Sequence, residues 1–92
     1  MNFKILYHKD VKHIDLPKVS KETKIRIRKA IEERLLTKPE RYGVPLRGTL
    51  KGYWKLRVGD YRIVYKIEKS TIIILGIRHR KDIYKEVIKR FK

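Results

Sequence analysis

Apolar and polar residues alternate at the start of the chain and then change to a helical period. Every second residue of 2–8 is apolar, which predicts a β-strand. In residues 9–16, Val11 and Ile14 lie three positions apart and Pro17 prevents continuation, which predicts a short helix. The opening of the chain therefore predicts a strand followed by a helix.

A longer helix is predicted next. Apolar residues recur at every fourth position from Ile27 to Leu35, and Ser20 is suited to cap the first turn. Pro39 is expected to end this helix, which gives it the range 21–37. The two helices together form a helical hairpin.

The second half of the chain is dominated by strand patterns. Residues 46–50 are predicted to form a short strand. Residues 54–58 and 61–65 are separated only by Gly59 and Asp60, which predicts a tight hairpin of type II′ because glycine comes first.

The remaining residues complete an α+β pattern. A turn at 68–70 leads to 71–79, which is nearly all β-branched or apolar and is predicted to be the central, most buried strand. Residues 81–92 are predicted to form an amphipathic helix whose apolar positions offer anchoring surface for a partner: Ile83, Val87, Ile88 and Phe91. The order β-α-α-β-β-β-β-α predicts a small antiparallel sheet with the N-terminal helical hairpin packed on one face, and a C-terminal helix.

The hairpin sorts its side chains onto two faces. A two-residue turn places Arg57 opposite Arg62, with Lys55 on the same face. Like charges directly opposed cost up to about 1 kcal/mol, and a bound polyanion would compensate this cost. The alternative is that these side chains are solvated and that their stems cover Val64. The other face is apolar and suited to the helical hairpin: Trp54, Leu56, Val58, Tyr61, Ile63 and Tyr65.

The strand from residue 71 extends the basic face. One parity along it holds Ile72, Ile74, Gly76, Arg78 and Arg80. Because Gly76 is small, it is expected to leave space before the two arginines, which predicts a shallow basic depression. Tyr84, in the first turn of the last helix, either packs in the core or projects its hydroxyl into this depression.

Composition narrows the classes of function. The 92 residues contain 26 Lys and Arg against 10 Asp and Glu, a formal net charge of +16, yet 41% of them are hydrophobic. Such a length supports a single modest core, so we expect one domain over residues 1–92. The positive field attracts polyanions, and nucleic acid is the first candidate partner.

Several other classes are disfavoured. The sequence has no cysteine, which excludes disulfides and thiolate metal sites. His8, His13 and His79 share no metal-ligand spacing, so we expect no metal and no cofactor. Because no signal-peptide pattern and no apolar run approaching the ~20 residues of a membrane span is found, we expect a soluble, cytoplasmic protein with no membrane partner.

Three segments together resemble a known family: PLRG at 45–48, WKLRVGDYRIVY at 54–65 and IRHRKDIY at 77–84. With the strand–helix–helix opening, they are similar to the RelE/ParE superfamily of toxin–antitoxin toxins, on the RelE side. The resemblance implies a small toxin that enters the ribosomal A site and cuts mRNA there. It also implies a cognate RelB-like antitoxin that wraps around the toxin in an inactive heteromeric complex.

The resemblance assigns residues to this activity. RelE-type nucleases keep catalytic groups at the positions of Lys55, Arg62, Arg78 and Tyr84. Tyr53 stands where well-known mRNA-cutting members have a further lysine. The RNA-binding positions implied are Arg47, Arg57, Arg80 and Lys81.

The implied reaction is a metal-independent attack by a ribose 2′-OH on the adjacent phosphate. Arg62 would stabilise the transition-state charge, and Arg78 would do the same or protonate the leaving group. Tyr84 or Lys55 would accept the proton, with His79 as a weaker alternative. Two other functions remain open: a ParE-like inhibitor of DNA gyrase without nuclease activity, and a non-catalytic RNA-binding module.

Overall fold

The computed structural model describes residues 3–90, which form a five-stranded sheet with helices on both faces. The strands are β1 (Lys4–Tyr7), β2 (Val44–Pro45), β3 (Trp54–Val58), β4 (Tyr61–Glu68) and β5 (Thr71–His79). Their order across the sheet is β1-β5-β4-β3-β2. Because β1 runs parallel to β5 and the other pairs are antiparallel, the sheet is mixed rather than wholly antiparallel. The α+β class is confirmed.

The helices follow the predicted order. The first helical segment consists of a π-helical turn, Val11–Asp15, followed by a 3₁₀ turn, Leu16–Lys18. Helix α1 spans Lys21–Ala30 and continues as a π-helical turn over Ile31–Leu35. Two further helices are α2 (Pro39–Tyr42) and α3 (Ile83–Lys89). Ser20 caps α1 as predicted, because its Oγ accepts a hydrogen bond from the Thr23 backbone N–H at 3.2 Å. Among the described helices, none combines the length and the apolar character needed to cross a membrane.

One of the two predictions about proline is wrong and the other is confirmed. Pro17 does not stop the first helical segment, since it lies inside the 3₁₀ turn that continues it. The long helical segment does end before Pro39, at Leu35 rather than at residue 37, and Pro39 begins α2. Both placements suit proline, because its missing N–H and its fixed φ are tolerated at the start of a helical turn.

The hairpin of β3 and β4 has the predicted register, including Arg57 opposite Arg62. Gly59 has φ +59°, and Lys69 is the only non-glycine residue of 3–90 with a positive φ, so Asp60 has a negative one. This combination is that of a type II′ turn. The second turn, Lys69-Ser70, connects β4 to β5.

The strand predicted over residues 46–50 is wrong. The short strand that pairs with β3 is Val44–Pro45, and Gly48–Leu50 forms a 3₁₀ turn. Gly48 has φ +62°, outside the extended region, so the chain turns there and carries Leu50 into the core. The strand at 71–79 is interior and well buried, but β4 holds the middle position of the sheet.

Each face of the sheet has its own core. The larger core lies under α1 and its π-helical extension, and it includes or contacts every residue of the predicted apolar face of the hairpin. The smaller core lies under α3 and consists of Leu50, Val64, Leu75, Ile83 and Val87. The face predicted to be solvated is therefore partly covered by α3.

The packing of α3 corrects the predicted anchoring surface for a partner. Ile83 and Val87 are fully buried against the sheet, so they are not available to a partner in this conformation. Ile88 remains exposed. Phe91, the fourth position of that prediction, lies outside the described residues.

A buried tyrosine ties α2 to the sheet. The Tyr65 hydroxyl donates a hydrogen bond of 2.7 Å to the Pro39 carbonyl, and burial raises the pKa of Tyr65, so the hydroxyl stays protonated at neutral pH. We expect Tyr65→Phe to lose about 1 kcal/mol, or roughly 4–8 °C in melting temperature. Thermal unfolding followed by circular dichroism tests this, with the exposed Tyr42→Phe as control. Equal melting temperatures for the two variants would contradict it.

Candidate active site

Three arginines form a row across adjacent strands. Arg57 lies opposite Arg62, and Arg62 lies opposite Arg78. Lys55 precedes Arg57 by two residues in β3 and therefore shares its face. The opposed pair predicted from the hairpin thus extends over three strands as a row of arginines.

A β-bulge changes which residues of β5 share this face. Val64 pairs with Gly76 but Tyr65 pairs with Ile74, so Leu75 is an extra residue in β5. Before the bulge, Ile74 packs in the larger core, whereas Leu75 packs in the smaller core under α3. The single parity predicted from Ile72 to Arg80 is therefore wrong.

Gly76 does not leave an open depression. A Cβ atom at Gly76 would lie 2.8 Å from Val87 Cγ2 and 3.1 Å from Ile83 Cδ1. Glycine is therefore the residue that allows α3 to approach the sheet closely. The row of arginines therefore lies next to α3, which covers the sheet at Gly76, and the predicted shallow depression is not formed there.

Lys55 and Tyr84 lie next to each other. The Lys55 Nζ atom lies 5.9 Å from the centroid of the Tyr84 ring, and Tyr84 packs along the edge of the smaller core. Both residues are half-buried. The structure therefore brings together the two groups considered as proton acceptors.

Arg62 folds back over the hairpin turn. Its Nη1 atom donates hydrogen bonds of 3.0 Å to the carbonyls of Gly59 and Tyr61. The side chain is only partly exposed, and these contacts hold it at the end of the hairpin.

Arg78 is bound to two carboxylates at the edge of the sheet. Nε and Nη2 donate to the two oxygens of Asp82 at 3.2 and 3.1 Å, and Nη1 donates to Asp15 Oδ1 at 3.1 Å. The hydrogen bonds that Arg78 donates to Asp82, foremost, and the one that it donates to Asp15 raise the pKa of Arg78, so its guanidinium remains charged. In this conformation Arg78 is a paired cation.

Sequence reasoning missed Asp15 and Arg90. Asp15 is buried, and Arg90 binds both of its oxygens, at 2.7 and 2.8 Å. A signal was present: Asp15 follows the buried Val11 by four residues, and Arg90 follows the buried Val87 by three. Opposite charges on the apolar sides of two helical segments indicate a buried ion pair.

His79 lies away from Lys55 and Tyr84. It pairs with Tyr61 across β4 and β5, with ring centroids 6.0 Å apart, and Tyr61 packs against the larger core. Since directly paired residues share a face, His79 lies on the side of the sheet opposite Lys55.

The four RNA-binding candidates are all exposed, but they do not form one cluster. Arg80 and Lys81 lie in the turn between β5 and α3, where the Arg80 N–H donates to the Asp60 carbonyl at 2.8 Å. Arg57 lies on β3, and Arg47 follows β2 at the far edge of the sheet. Within residues 3–90, no three His, Asp or Glu side chains are grouped as a metal site would require.

Solved structures define the class of this fold, that of toxins from toxin–antitoxin systems. A chain of the RelBE2 complex of Mycobacterium tuberculosis matches with a TM-score of 0.80 at 28% identity, over 87% of this chain and 100% of that chain. A chain of the RelB–RelE complex of Methanococcus jannaschii matches with a TM-score of 0.68 at 31% identity, over 88% of this chain and 96% of that chain. A mutant of Escherichia coli toxin RelE matches with a TM-score of 0.76 over the whole of both chains. Because the two sequences are only 19% identical, this match supports the fold alone.

The sequence then places the chain in a family. Residues 5–84 match the family model described as the ParE toxin of the type II toxin–antitoxin system parDE, and the chain belongs to this family. Toxin RelG of M. tuberculosis is 45% identical over 53 residues, which are 55% of this chain and 61% of RelG. Toxin RelE of the same organism is 42% identical over 53 residues, 55% of each chain. The matched segment thus spans little more than half of these curated relatives, and the predicted RelE/ParE resemblance is confirmed.

Proposed function

We propose that the protein is a ribosome-dependent mRNA endoribonuclease that inhibits translation. The observation that carries this proposal is the row of Arg57, Arg62 and Arg78, with Lys55 on the same face and its Nζ atom 5.9 Å from the centroid of the Tyr84 ring. The likeness to proteins named RelE and RelG supports the same activity. A row of like charges on a folded sheet is stabilised when a polyanion binds it.

The proposed reaction needs only side chains of this chain and water. The 2′-oxygen of a ribose forms a bond to the adjacent phosphorus and the bond to the 5′-oxygen breaks, leaving a cyclic phosphate and a 5′-hydroxyl. Lys55 or Tyr84 accepts the 2′-hydroxyl proton, Arg78 stabilises the negative charge that develops on the leaving oxygen, and water protonates that oxygen. Arg62 stabilises the additional negative charge on the phosphate.

The proposed substrate is RNA, because the attacking hydroxyl is absent from DNA. Arg62 and Arg78 must both rearrange to reach a phosphate, since the first contacts backbone carbonyls and the second contacts two carboxylates. Catalytic contacts that tighten only in the substrate complex are common in enzymes. The ribosome would supply the mRNA in a fixed conformation.

The proposed partner in the resting cell is a RelB-like antitoxin. Two of the matching structures are RelB–RelE-type complexes, and the net charge of +16 would attract an acidic chain. Leu6 and Ile25 are large exposed apolar residues that an antitoxin could cover. The proposed resting form is therefore a toxin–antitoxin complex.

A second candidate function is gyrase inhibition, because the matching family model is that of ParE toxins. Purified protein added to a translating extract distinguishes the two, with mRNA ends mapped by primer extension. Cuts phased with the codons are the result expected for an mRNA endoribonuclease. Intact mRNA together with inhibited DNA gyrase would reject the proposal in favour of the second candidate.

Binding to RNA is expected to weaken steeply as salt rises. If Lys55, Arg57, Arg62, Arg78 and Arg80 all contact phosphates, each displaces counterions and contributes about 0.7 to the slope of log affinity against log salt. Titrations of ribosomes or single-stranded RNA at several salt concentrations measure this slope. A flat titration would contradict electrostatic binding and would favour a protein target recognised through apolar surface.

A further inference from the structure

The guanidinium of Arg78 is shared between two carboxylates that differ in burial. Asp15 has a side chain with no exposed surface, whereas the side chain of Asp82 is 49% exposed. One nitrogen of Arg78 binds Asp15, and the other two bind Asp82. The two acids therefore hold Arg78 with different strength.

Asp15 is fixed in place by four hydrogen bonds. Arg90 donates to both oxygens, the Ile77 N–H donates to Oδ2 at 2.9 Å, and Arg78 donates to Oδ1. These donors occupy the approximately four acceptor sites of a carboxylate. If the Asp15 side chain moved away, the buried Ile77 N–H and the Arg90 guanidinium would lose their hydrogen-bond acceptor, which is costly. The contact between Asp15 and Arg78 is therefore stable.

Arg90 changes what Asp15 does to Arg78. Its charge pairs with that of Asp15 through two short hydrogen bonds, and the hydrogen bond to Asp15 is the main cause that raises the pKa of Arg90. Arg90 also lies 3.6 Å from Asp10 Oδ2 and 4.0 Å from Glu86 Oε2, so its charge is shared among three acids. Because Asp15 divides its oxygens between two arginines, it does not neutralise Arg78 by itself, and Arg78 keeps positive charge for another anion.

Asp82 occupies the edge of Arg78 that a phosphate would use. Nε and Nη2 form the parallel fork of donors that binds carboxylates and phosphates in the same bidentate way. The Asp82 side chain is 49% exposed whereas that of Arg78 is 12% exposed, so solvent reaches this edge of Arg78 at Asp82, and an anion that displaces Asp82 takes over both donors. A cleft of about 160 Å³ borders this pair, and it is lined by Asp15, Arg78 and Asp82 and, from the side of the larger core, by Tyr61, Ile77 and His79.

We infer that Asp15, balanced by Arg90, is the positioning residue of Arg78, and that Asp82 holds the phosphate-binding edge of Arg78 until an RNA phosphate displaces it. This inference rests on the proposed function for the identity of the displacing ligand. The inference predicts that Asp15 and Asp82, which contact the same guanidinium, have opposite effects on the affinity for RNA.

Two variants with the same change in charge test the inference. Asp15→Asn and Asp82→Asn each remove one negative charge and nearly preserve the shape of the side chain. The probe is a short single-stranded RNA with 2′-O-methyl groups, which cannot be cut, and its affinity is measured by fluorescence anisotropy. We expect Asp82→Asn to bind up to about fivefold more tightly and Asp15→Asn to bind more weakly than wild type.

The control for net charge is Glu40→Gln, in the first turn of α2. It makes the same change in charge away from Arg78 and is expected to leave the affinity nearly unchanged. If all three variants bind more tightly, the effect is one of net charge and the inference is overturned. It is also overturned if Asp82→Asn still improves binding when Arg78 is replaced by alanine.

A measurement on the wild-type protein covers the case in which Asp15→Asn does not fold. Carboxyl carbon signals in NMR report each acid while the blocked RNA is titrated. The Asp82 signal is expected to shift because its ion pair is released, and the Asp15 signal is expected to stay in place. Shifts of both signals, or of neither, overturn the inference.

Cleavage assays separate this inference from the proposed function. On programmed ribosomes, folded Asp15→Asn is expected to lower kcat by about 10²-fold, the effect of a reacting group that is misplaced by about 1 Å. A fall in activity that follows only the folded fraction would make Asp15 merely structural. If the wild-type protein does not cut mRNA, the proposed function fails, and the binding and NMR results still decide the roles of Asp15 and Asp82.

Discussion

Arg62→Ala is expected to lower the single-turnover rate of mRNA cleavage by about 10²–10³-fold while leaving the domain folded. Removing one donor to a developing oxyanion typically raises the barrier by about 3–4 kcal/mol. The hydrogen bonds that Arg62 makes now are to the carbonyls of Gly59 and Tyr61 at the exposed hairpin turn, where water can replace them. Its removal also relieves repulsion from Arg57 and Arg78, so the free energy of unfolding should change by less than about 1 kcal/mol.

The matched control is Arg26→Ala. The Arg26 guanidinium lies beside the same turn, close to Gly59, but it belongs to α1 on the other face of the sheet. Arg26→Ala removes the same charge as Arg62→Ala and should leave the cleavage rate nearly unchanged. A folded Arg62→Ala protein that cuts mRNA at nearly the wild-type rate would exclude Arg62 from catalysis.

Arg90→Ala is expected to lower the free energy of unfolding by about 3–5 kcal/mol, because it leaves the buried Asp15 carboxylate without its main partner. A small domain is stable by about 5–15 kcal/mol in total, so this is a large share. Each kcal/mol corresponds to roughly 4–8 °C in melting temperature for a chain of this size. The loss should therefore be evident in a thermal or urea unfolding curve.

The adjacent Lys89→Ala serves as control. Lys89 carries the same charge but its side chain is 64% exposed, and its Glu86 contact at 3.6 Å is a surface ion pair. Such pairs contribute at most about 1 kcal/mol. Equal stabilities for Arg90→Ala and Lys89→Ala would show that the Asp15–Arg90 pair does not stabilise the fold.

The hairpin and α1 could be predicted from the sequence because local signals determine them. A two-residue Gly-Asp turn fixes the register of Arg57 and Arg62, and Ser20 marks the start of α1. Both elements depend on residues close together in the chain. Local signals were not always sufficient, since the strand predicted over residues 46–50 is a 3₁₀ turn at Gly48–Leu50.

Predictions that required distant contacts were less successful. The bulge at Leu75 places Ile74 in the larger core and Leu75 in the smaller one, and no residue near it in the sequence indicates a bulge. The coverage of Val64 by α3 depends on the packing of Ile83 and Val87, so the basic face looked open in the sequence. The state of Arg78 depends on Asp15, which lies 63 residues away.

The pairing of β1 with β5 and of Asp15 with Arg90 affects the order of folding. Arg90 and Asp15 are 75 residues apart, so their contact closes a loop that contains most of the chain. Closing such a loop costs entropy before any contact repays it, and topologies rich in long-range contacts fold slowly. During synthesis, β1 can dock only after β5 has been made, and Asp15 finds its buried partner only after Arg90 has been made. The N-terminal strand and the first π-helical turn therefore reach their final packing later than the hairpin of β3 and β4, whose contacts are local.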